Sequence, residues 1–268
     1  TCFASLEMAL EKTEDLQVAD VVTVASAHLP IVRTATEAGL HVLCEKPMAP
    51  TVLACREMLT AAVQHGRLLS IAENYRRDPV ARLMRALIGA SVIGDVRTVL
   101  DHSLSGGRSA VAGGWQYKRS QGGPLLEMGV HYADLQMYMG GQIEHVYGQV
   151  RLREPERDFR GADVKPFHEH YSETYPDSEE ADAPDVLMAT MEYASGAVGQ
   201  WVCDMAAQGP GLHRFSVIGS SGQIDLPDVR SGIPLRVFLG TAAEPCGDED
   251  VLSMVPDFHL DQRAARFF

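Results

Sequence analysis

Three short apolar runs, separated by stretches of helical spacing, constrain the fold of the first part of this chain. "ADVVTVA" (19–25) is continuous and rich in β-branched residues, the pattern of a strand buried on both faces of a parallel sheet. A helical stretch over about 28–38 follows, Gly39 stops it, and "HVLCE" forms a second strand. "TVLACREMLTAAVQH" (51–65) again has helical spacing and ends at Gly66, after which "RLLSIAE" supplies a third strand. Strand, helix, strand, helix, strand at these short spacings predicts half of a doubly wound α/β sheet. Ligands of such sheets bind beyond the carboxyl ends of the strands, and "CEKP" (44–47) closes the second strand. Lys46, between Glu45 and Pro47, is therefore a candidate functional group.

The pattern changes after about residue 74. A helix over roughly 78–90 leads into longer alternating runs: "GDVRTVLDHSL", "EHVYGQVRL", "DVLMATMEY", "GAVGQWVCDMA" and "HRFSVIGSSGQIDL". "ASG" at 194–196 marks a hairpin between two of them. The expected architecture is a partial Rossmann-type parallel sheet over 1–73, followed over 74–268 by an α+β domain with a large, mostly antiparallel sheet. Residues 154–184, rich in Glu, Asp and Pro, read as a long surface loop. Ser5 is placed to cap an opening helix, yet the start at Thr1 and the uncapped end at Phe268 suggest a segment of something longer.

Composition excludes several function classes. Acidic residues outnumber basic ones 36 to 23, a formal charge of -13, and no dense Lys/Arg stripe is present to neutralise phosphates, so nucleic acid is not expected as a partner. No apolar stretch approaches a membrane span and no signal layout opens the chain, which predicts a cytoplasmic protein. The five cysteines form an odd set without a CxxC pair, which fits a reducing compartment and argues against cysteine chemistry.

"GGPLLEMGVHYADLQMYMGG" (122–141) carries the most chemistry. Pro124 suits a first turn and Gly140-Gly141 a stop, so 124–139 reads as one helix, apolar on most sides and largely buried. Glu127, His131, Asp134 and Tyr138 fall at i, i+4, i+7 and i+11, close to a single line. Two readings are open: a core histidine and carboxylates satisfied by basic neighbours, or a polar line facing a pocket. Lys46 taken alone is most simply a solvated charge. A lysine at a strand's carboxyl end together with a carboxylate–imidazole line supplies the parts for acid–base work at a hydroxyl carbon.

"AGLHVLCEKPMAPTVLACREML", "NYRRDP" (74–79), "GDVRTV" (94–99), "GGPLLEMGVHYAD" (122–134) and "GSSGQIDL" (219–226) resemble, in this order, the Gfo/Idh/MocA family of glucose-fructose oxidoreductases, inositol dehydrogenases and rhizopine-catabolism proteins. The resemblance covers nearly the whole chain. It implies an oxidoreductase that moves a hydride between NAD or NADP and a sugar, polyol or related cyclic carbinol. It implies catalytic roles for Lys46 and His131, and for Glu127, which stands where the family usually has Asp and so reaches one methylene further. Imidazole, with a reference pKa of about 6.5, suits a base at neutral pH. Glu45, Lys46, Pro47, His28, Asn74 and Arg76 are implied on the cofactor side. Arg76 and Trp115 are implied on the substrate side, with Gln116 where Arg is frequent and Gln121 where a third Gly often lies, and Tyr117 and Asp134 join them as candidate substrate contacts by residue type. A cis Lys46–Pro47 bond, which the family often shows, would aim the lysine. The family's GxGxxG turn occurs nowhere in these residues, and the resemblance implies that it precedes Thr1.

Three alternatives compete: a redox-assisted glycosidase that retains its NAD, a non-catalytic sugar-binding or regulatory relative, and a metal enzyme built on "FHEHYSE" (167–173), where His168 and His170 share a strand face. The metal reading lacks a further convincing ligand, so no metal is expected. An open-faced sheet in the second domain predicts a homo-oligomer, a dimer or tetramer.

Overall fold

The computed structural model describes residues 2–109, 113–159, 176–226 and 233–259. The chain divides into two compact units, Thr1–Glu73 with Ser120–Gly122, and Asn74–Arg119 with Gly123–Phe268.

The first unit opens with α1 (Leu6–Lys12), capped by the Ser5 hydroxyl, which accepts the Met8 N–H at 3.3 Å. It continues through β1 (Val18–Val21), α2 (Ala25–Glu37), β2 (His41–Cys44), α3 (Val52–Gln64) and β3 (Leu69–Ile71), and the strands pair in parallel in the order β1-β2-β3. Both crossovers step the same way, so right-handed connections put α2 and α3 on one face of the sheet. There they enclose Val21, Val32, Val42, Cys44 and Met58. The first strand is shorter than its apolar run predicts and is not buried on both faces: Val18 is 59% and Val22 68% exposed. Pairing with β2 ends at Val21↔Cys44, and the chain is helical from Ala25, earlier than its periodicity suggests. The helix runs through Pro30 in its second turn at the cost of one backbone hydrogen bond.

The second unit holds α4 (Pro79–Gly89), β4 (Val96–Gly106), α5 (Gly123–Gly140), β5 (Ile143–Arg151), β6 (Glu156–Asp158), β7 (Ser178–Glu180), β8 (Val186–Tyr193), β9 (Val198–Ala207), β10 (Leu212–Gly219), β11 (Gly222–Leu226), β12 (Arg236–Leu239) and α6 (Asp248–Ser253). Seven strands form one sheet in the order β12-β11-β10-β4-β9-β8-β5, in which only β4 and β9 pair in parallel. The hairpin at 194–196 joins β8 to β9 with Gly196 at φ 84°, a left-handed position suited to glycine. Met84 and Leu87 of α4 and Leu135 and Met139 of α5 pack with inward residues of the sheet, among them Val99, Met191, Val217 and Ile224. Val146, Tyr147, Met188 and Val198 are exposed.

The stretch expected as a surface loop is partly ordered differently. β6 and β7 pair in an antiparallel ribbon inside it, and Arg157 at the ribbon's centre is 1% exposed. "FHEHYSE", with His168 and His170, lies outside the described residues.

Candidate active site

In the first unit the ladder carries straight into the "EKP" turn. Glu45 N–H donates to Val21 O at 2.9 Å and Ala72 N–H to Cys44 O at 2.8 Å, so Lys46 leaves the sheet from the last paired position of β2. The Glu45 carboxylate accepts the Lys46 N–H at 2.9 Å, and the Lys46–Pro47 peptide bond is cis, the isomer the resemblance implies. His28 on α2 is fully buried. Its Nδ1 lies 3.1 Å from Pro47 O and 3.2 Å from Met48 O, and its Nε2 lies 3.0 Å from Thr23 O. Both ring edges therefore face backbone carbonyls. His28, expected on the cofactor side, ties the Lys46 turn to the end of β1. Thr51 then caps α3, accepting the Ala54 N–H at 3.2 Å.

In the second unit the polar line of α5 meets the segment that precedes α4. Asn74 is exposed at the start of a 3₁₀ turn, Tyr75–Arg77, and Asp78 ends that turn by accepting the Val80 N–H at 3.0 Å to cap α4. His131 is 4% exposed, and its ring stacks on Tyr75 with centroids 4.0 Å apart and planes 8° from parallel. Three residues on, Asp134 takes the Arg76 guanidinium in a two-bond fork, Nε to Oδ2 at 2.6 Å and a second bond to Oδ1. The same guanidinium lies 5.0 Å from the Tyr138 ring centroid. His131, Asp134 and Tyr138 are thus each partnered by Tyr75 or Arg76, which fixes the imidazole and the guanidinium on one side of the helix. Glu127 stands one helical turn before His131, half-buried.

Trp115 and Tyr117 share a 3₁₀ turn, Gly114–Tyr117, but differ in environment. Trp115 is 41% exposed, as a stacking surface requires. Tyr117 is 5% exposed, packs with Ala181 and Phe159, and lies under the Arg157 guanidinium at 5.0 Å. Tyr117, expected on the substrate side, is thus the buried member of this turn. The candidate residues thus fall into two groups, Glu45, Lys46, Pro47 and His28 in the first unit and Asn74, Arg76, Trp115, Glu127, His131 and Asp134 in the second.

A buried polar group under α5 escaped the sequence reading. Asp101 on β4 is 2% exposed, and burial pushes its carboxyl up to about 8, against a weaker pull from the Gln136 amide. Gln136 Nε2 and Asp101 Oδ2 fall short of hydrogen-bond geometry, so desolvation dominates, while Gln136 Oε1 accepts the Tyr193 hydroxyl at 2.6 Å. Tyr132 is shifted upward by the same burial. The signal for Asp101 was present in the alternation Val99, Asp101, Ser103, which puts all three on the inward face of β4.

Among the described residues no group of three His, Cys, Asp or Glu side chains could hold a metal ion, and all five cysteines are free. No helix among them is long and apolar enough to cross a membrane. A nicotinamide dinucleotide fits the first unit in part. Lys46 and Pro47 lie at the carboxyl end of a parallel strand, and α2 begins with no side-chain cap and no acidic residue in its first turn, which suits an anion.

The comparisons with known proteins agree with this layout. Residues 1–73 match the oxidoreductase family with an NAD-binding Rossmann fold, and residues 81–225 match the GFO/IDH/MocA C-terminal domain. The chain belongs to the GFO/IDH/MocA family of oxidoreductases. Levoglucosan dehydrogenase of Pseudarthrobacter phenanthrenivorans is 27% identical over 217 residues, 78% of this chain and 55% of that protein. D-glucoside 3-dehydrogenase of Escherichia coli is 33% identical over 128 residues, 46% of this chain and 36% of that protein. The WlbA dehydrogenase of Bordetella pertussis, solved with NADH and UDP-GlcNAcA, shares the fold at TM-score 0.72 and 21% identity, covering 95% of this chain and 67% of its own. The chain spans about half the length of the first curated relatives it matches.

Proposed function

We propose that this protein is an NAD(P)-dependent oxidoreductase acting on the CH–OH group of a sugar, polyol or related cyclic carbinol. The observation that carries the reading is the buried His131, its ring held against Tyr75 and flanked on one helix by Glu127 and by the Arg76–Asp134 fork. A buried imidazole fixed in orientation is what proton abstraction from a hydroxyl requires. Family membership and relatives named as sugar dehydrogenases support the same class.

A bound nicotinamide supplies the hydride acceptor. Lys46 and Pro47, with the Glu45 carboxylate accepting the Lys46 N–H, and Asn74, exposed and making no side-chain cap bond, would hold that group. His131 receives the proton of the substrate hydroxyl on a ring nitrogen. Glu127, one turn away, orients the imidazole or the substrate. Lys46 stabilises negative charge growing on the substrate oxygen. Arg76, with Asp134 setting its guanidinium plane, donates to other hydroxyls of the ligand, and Trp115 offers an aromatic face.

The test is NAD(P)H formation over a panel of sugars and polyols with each cofactor in turn, for the parent, Lys46→Ala, His131→Ala and the double variant. Removal of His131 is expected to lower turnover by about 10²–10⁴-fold with cofactor affinity largely kept. If Lys46 and His131 act on one hydroxyl, the double variant loses far less than the product of the two single losses. Unchanged turnover, or a loss confined to cofactor binding, sinks the reading.

The reading extends to two further properties. Self-association through the open face of the large sheet is supported by exposed Tyr147, Met188 and Val198, and light scattering at several concentrations tests it. A reducing, cytoplasmic location is supported by five cysteines without a disulfide.

A further inference from the structure

The ribbon of β6 and β7 is too short to be stable by itself, so something else must hold it. Its anchor is an ion pair buried on both sides: Arg157 Nη2 donates to Asp185 Oδ2 at 2.6 Å, and each side chain is about 1% exposed. Arg157 Nη1 also reaches Gly107 O at 2.6 Å and Met205 O at 3.1 Å, at the ends of β4 and β9, and its guanidinium covers the Tyr117 ring. Asp185 in turn accepts the N–H groups of Arg153 at 2.7 Å and Glu154 at 2.9 Å. Apolar residues of the same size would stabilise this place at least as well. The ion pair adds direction: it allows one register of the ribbon against the strand ends and Tyr117.

The ribbon and the strand after it are fastened to the segment that carries Trp115. Asp182 N–H and Ala183 N–H donate to Tyr117 O at 3.2 and 3.3 Å, and Arg119 N–H donates to Asp182 Oδ1 at 2.6 Å. Lys118 Nζ donates to Glu180 O and pairs with Glu179 at 3.3 Å. Gly123 approaches so closely that a Cβ there would lie 2.4 Å from the Ala183 Cβ. Among the described residues the Trp115 segment is built from two short 3₁₀ turns, Gly114–Tyr117 and Arg119–Gln121, so its position depends on these bonds.

We infer that the β6–β7 ribbon, locked by the buried Arg157–Asp185 pair, sets the position of Trp115 as the aromatic wall for the carbinol substrate, and that Arg157, Asp185 and Lys118 are positioning residues for substrate binding. The inference rests on the proposed dehydrogenase reading for the identity of the ligand. The lock itself rests on the geometry just given.

The protein has two tryptophans, Trp115 and Trp201, so Trp201→Phe leaves Trp115 as the sole reporter. In that parent, Lys118→Ala and Arg157→Lys are compared for the KM of the best carbinol, the KM of the cofactor, kcat, and acrylamide quenching of Trp115 without ligand. Lys118 is part-exposed at 30%, so its truncation leaves no buried charge and the variant folds. The expected result is a rise in carbinol KM on the order of tenfold, about 1.4 kcal/mol, with cofactor KM and kcat nearly unchanged and stronger quenching of Trp115. Lys118→Arg restores both. An active parent whose variants keep the parental carbinol KM and quenching overturns the inference. A parent that oxidises no carbinol on the panel fails earlier and overturns the functional reading together with the substrate part of this one, so the two failures are told apart by the parent alone.

Discussion

Two arginine–aspartate pairs in the second unit share their chemistry and differ in their access to water. Arg157 and Asp185 are each about 1% exposed, whereas Arg76 and Asp134 keep 41% and 20% of their side-chain surface. The enclosed pair has every neighbour supplied by the chain: two carbonyls, two backbone N–H groups and an aromatic face. The open pair presents a guanidinium already oriented by its carboxylate, beside a histidine that is itself fixed. A pair closed to solvent can act on a ligand only through the fold it holds, and a pair open to solvent can also touch the ligand itself.

The largest effect should come from opening the closed pair. Arg157→Met or Asp185→Leu alone strands a buried charge and should cost about 3–5 kcal/mol, while the double variant recovers most of that loss. At about 2–4 °C per kcal/mol for a chain of this size, each single variant should melt roughly 6–20 °C lower. Thermal unfolding of the three variants measures this directly. A single variant that melts with the parent would erase the distinction between the pairs.

Asp101 sharpens the comparison, because it is a buried acid without an arginine. With its carboxyl held up to about 8 by burial, the folded protein keeps a proton that the unfolded chain, titrating near 4, has already released. Stability contributed by this group is therefore complete below about pH 4, declines as pH rises toward 8 by at most about 1.4 kcal/mol per pH unit, and levels off above it. Tyr132, Tyr193, Cys203 and Gln136 face it, none of them a cation at neutral pH. Asp101→Asn should flatten that slope in denaturant unfolding measured from pH 5 to 8. The same slope in both proteins would mean that Asp101 is ionised in the fold.

How much of this was legible follows from the range of the interactions. The α5 line was readable because Glu127, His131, Asp134 and Tyr138 lie within three turns of one helix, and helical periodicity is local. The partners of that line were half readable: Arg76 was singled out, while Tyr75 beside it, whose ring holds His131, was not. Asp101 was recoverable from strand alternation. Arg157 and Asp185 were not, since "REPERDF" reads as a solvated charged run, and its burial depends on pairing with a residue 28 positions away. The same limit explains β1, where the apolar run outlasts the strand because only the neighbouring strand decides where pairing stops. His28 shows a further one: a histidine in a site-like position has one ring edge against the nearby Thr23 carbonyl and the other against carbonyls of Pro47 and Met48, which lie 19 and 20 positions away.

The open pair is predicted to separate activity from stability. Asp134→Asn keeps the shape of the side chain and removes the charge that forks Arg76. With both partners part-exposed, solvent replaces much of what is lost, and stability should change by no more than about 1 kcal/mol. Arg33–Glu57, a pair at 2.8 Å with side chains 51% and 37% exposed, is the control, and Glu57→Gln should be near neutral by the same argument. Carbinol oxidation should separate the two variants. Arg76 freed from its fork no longer holds one plane, and a hydrogen bond from a charged group is worth about 1.5–3 kcal/mol, so Asp134→Asn should raise the substrate KM at least about tenfold while Glu57→Gln leaves it unchanged. If Asp134→Asn instead lowers the melting temperature as far as the Arg157 variants do and leaves the KM alone, the open pair is structural too, and Arg76 has to be withdrawn from the substrate side.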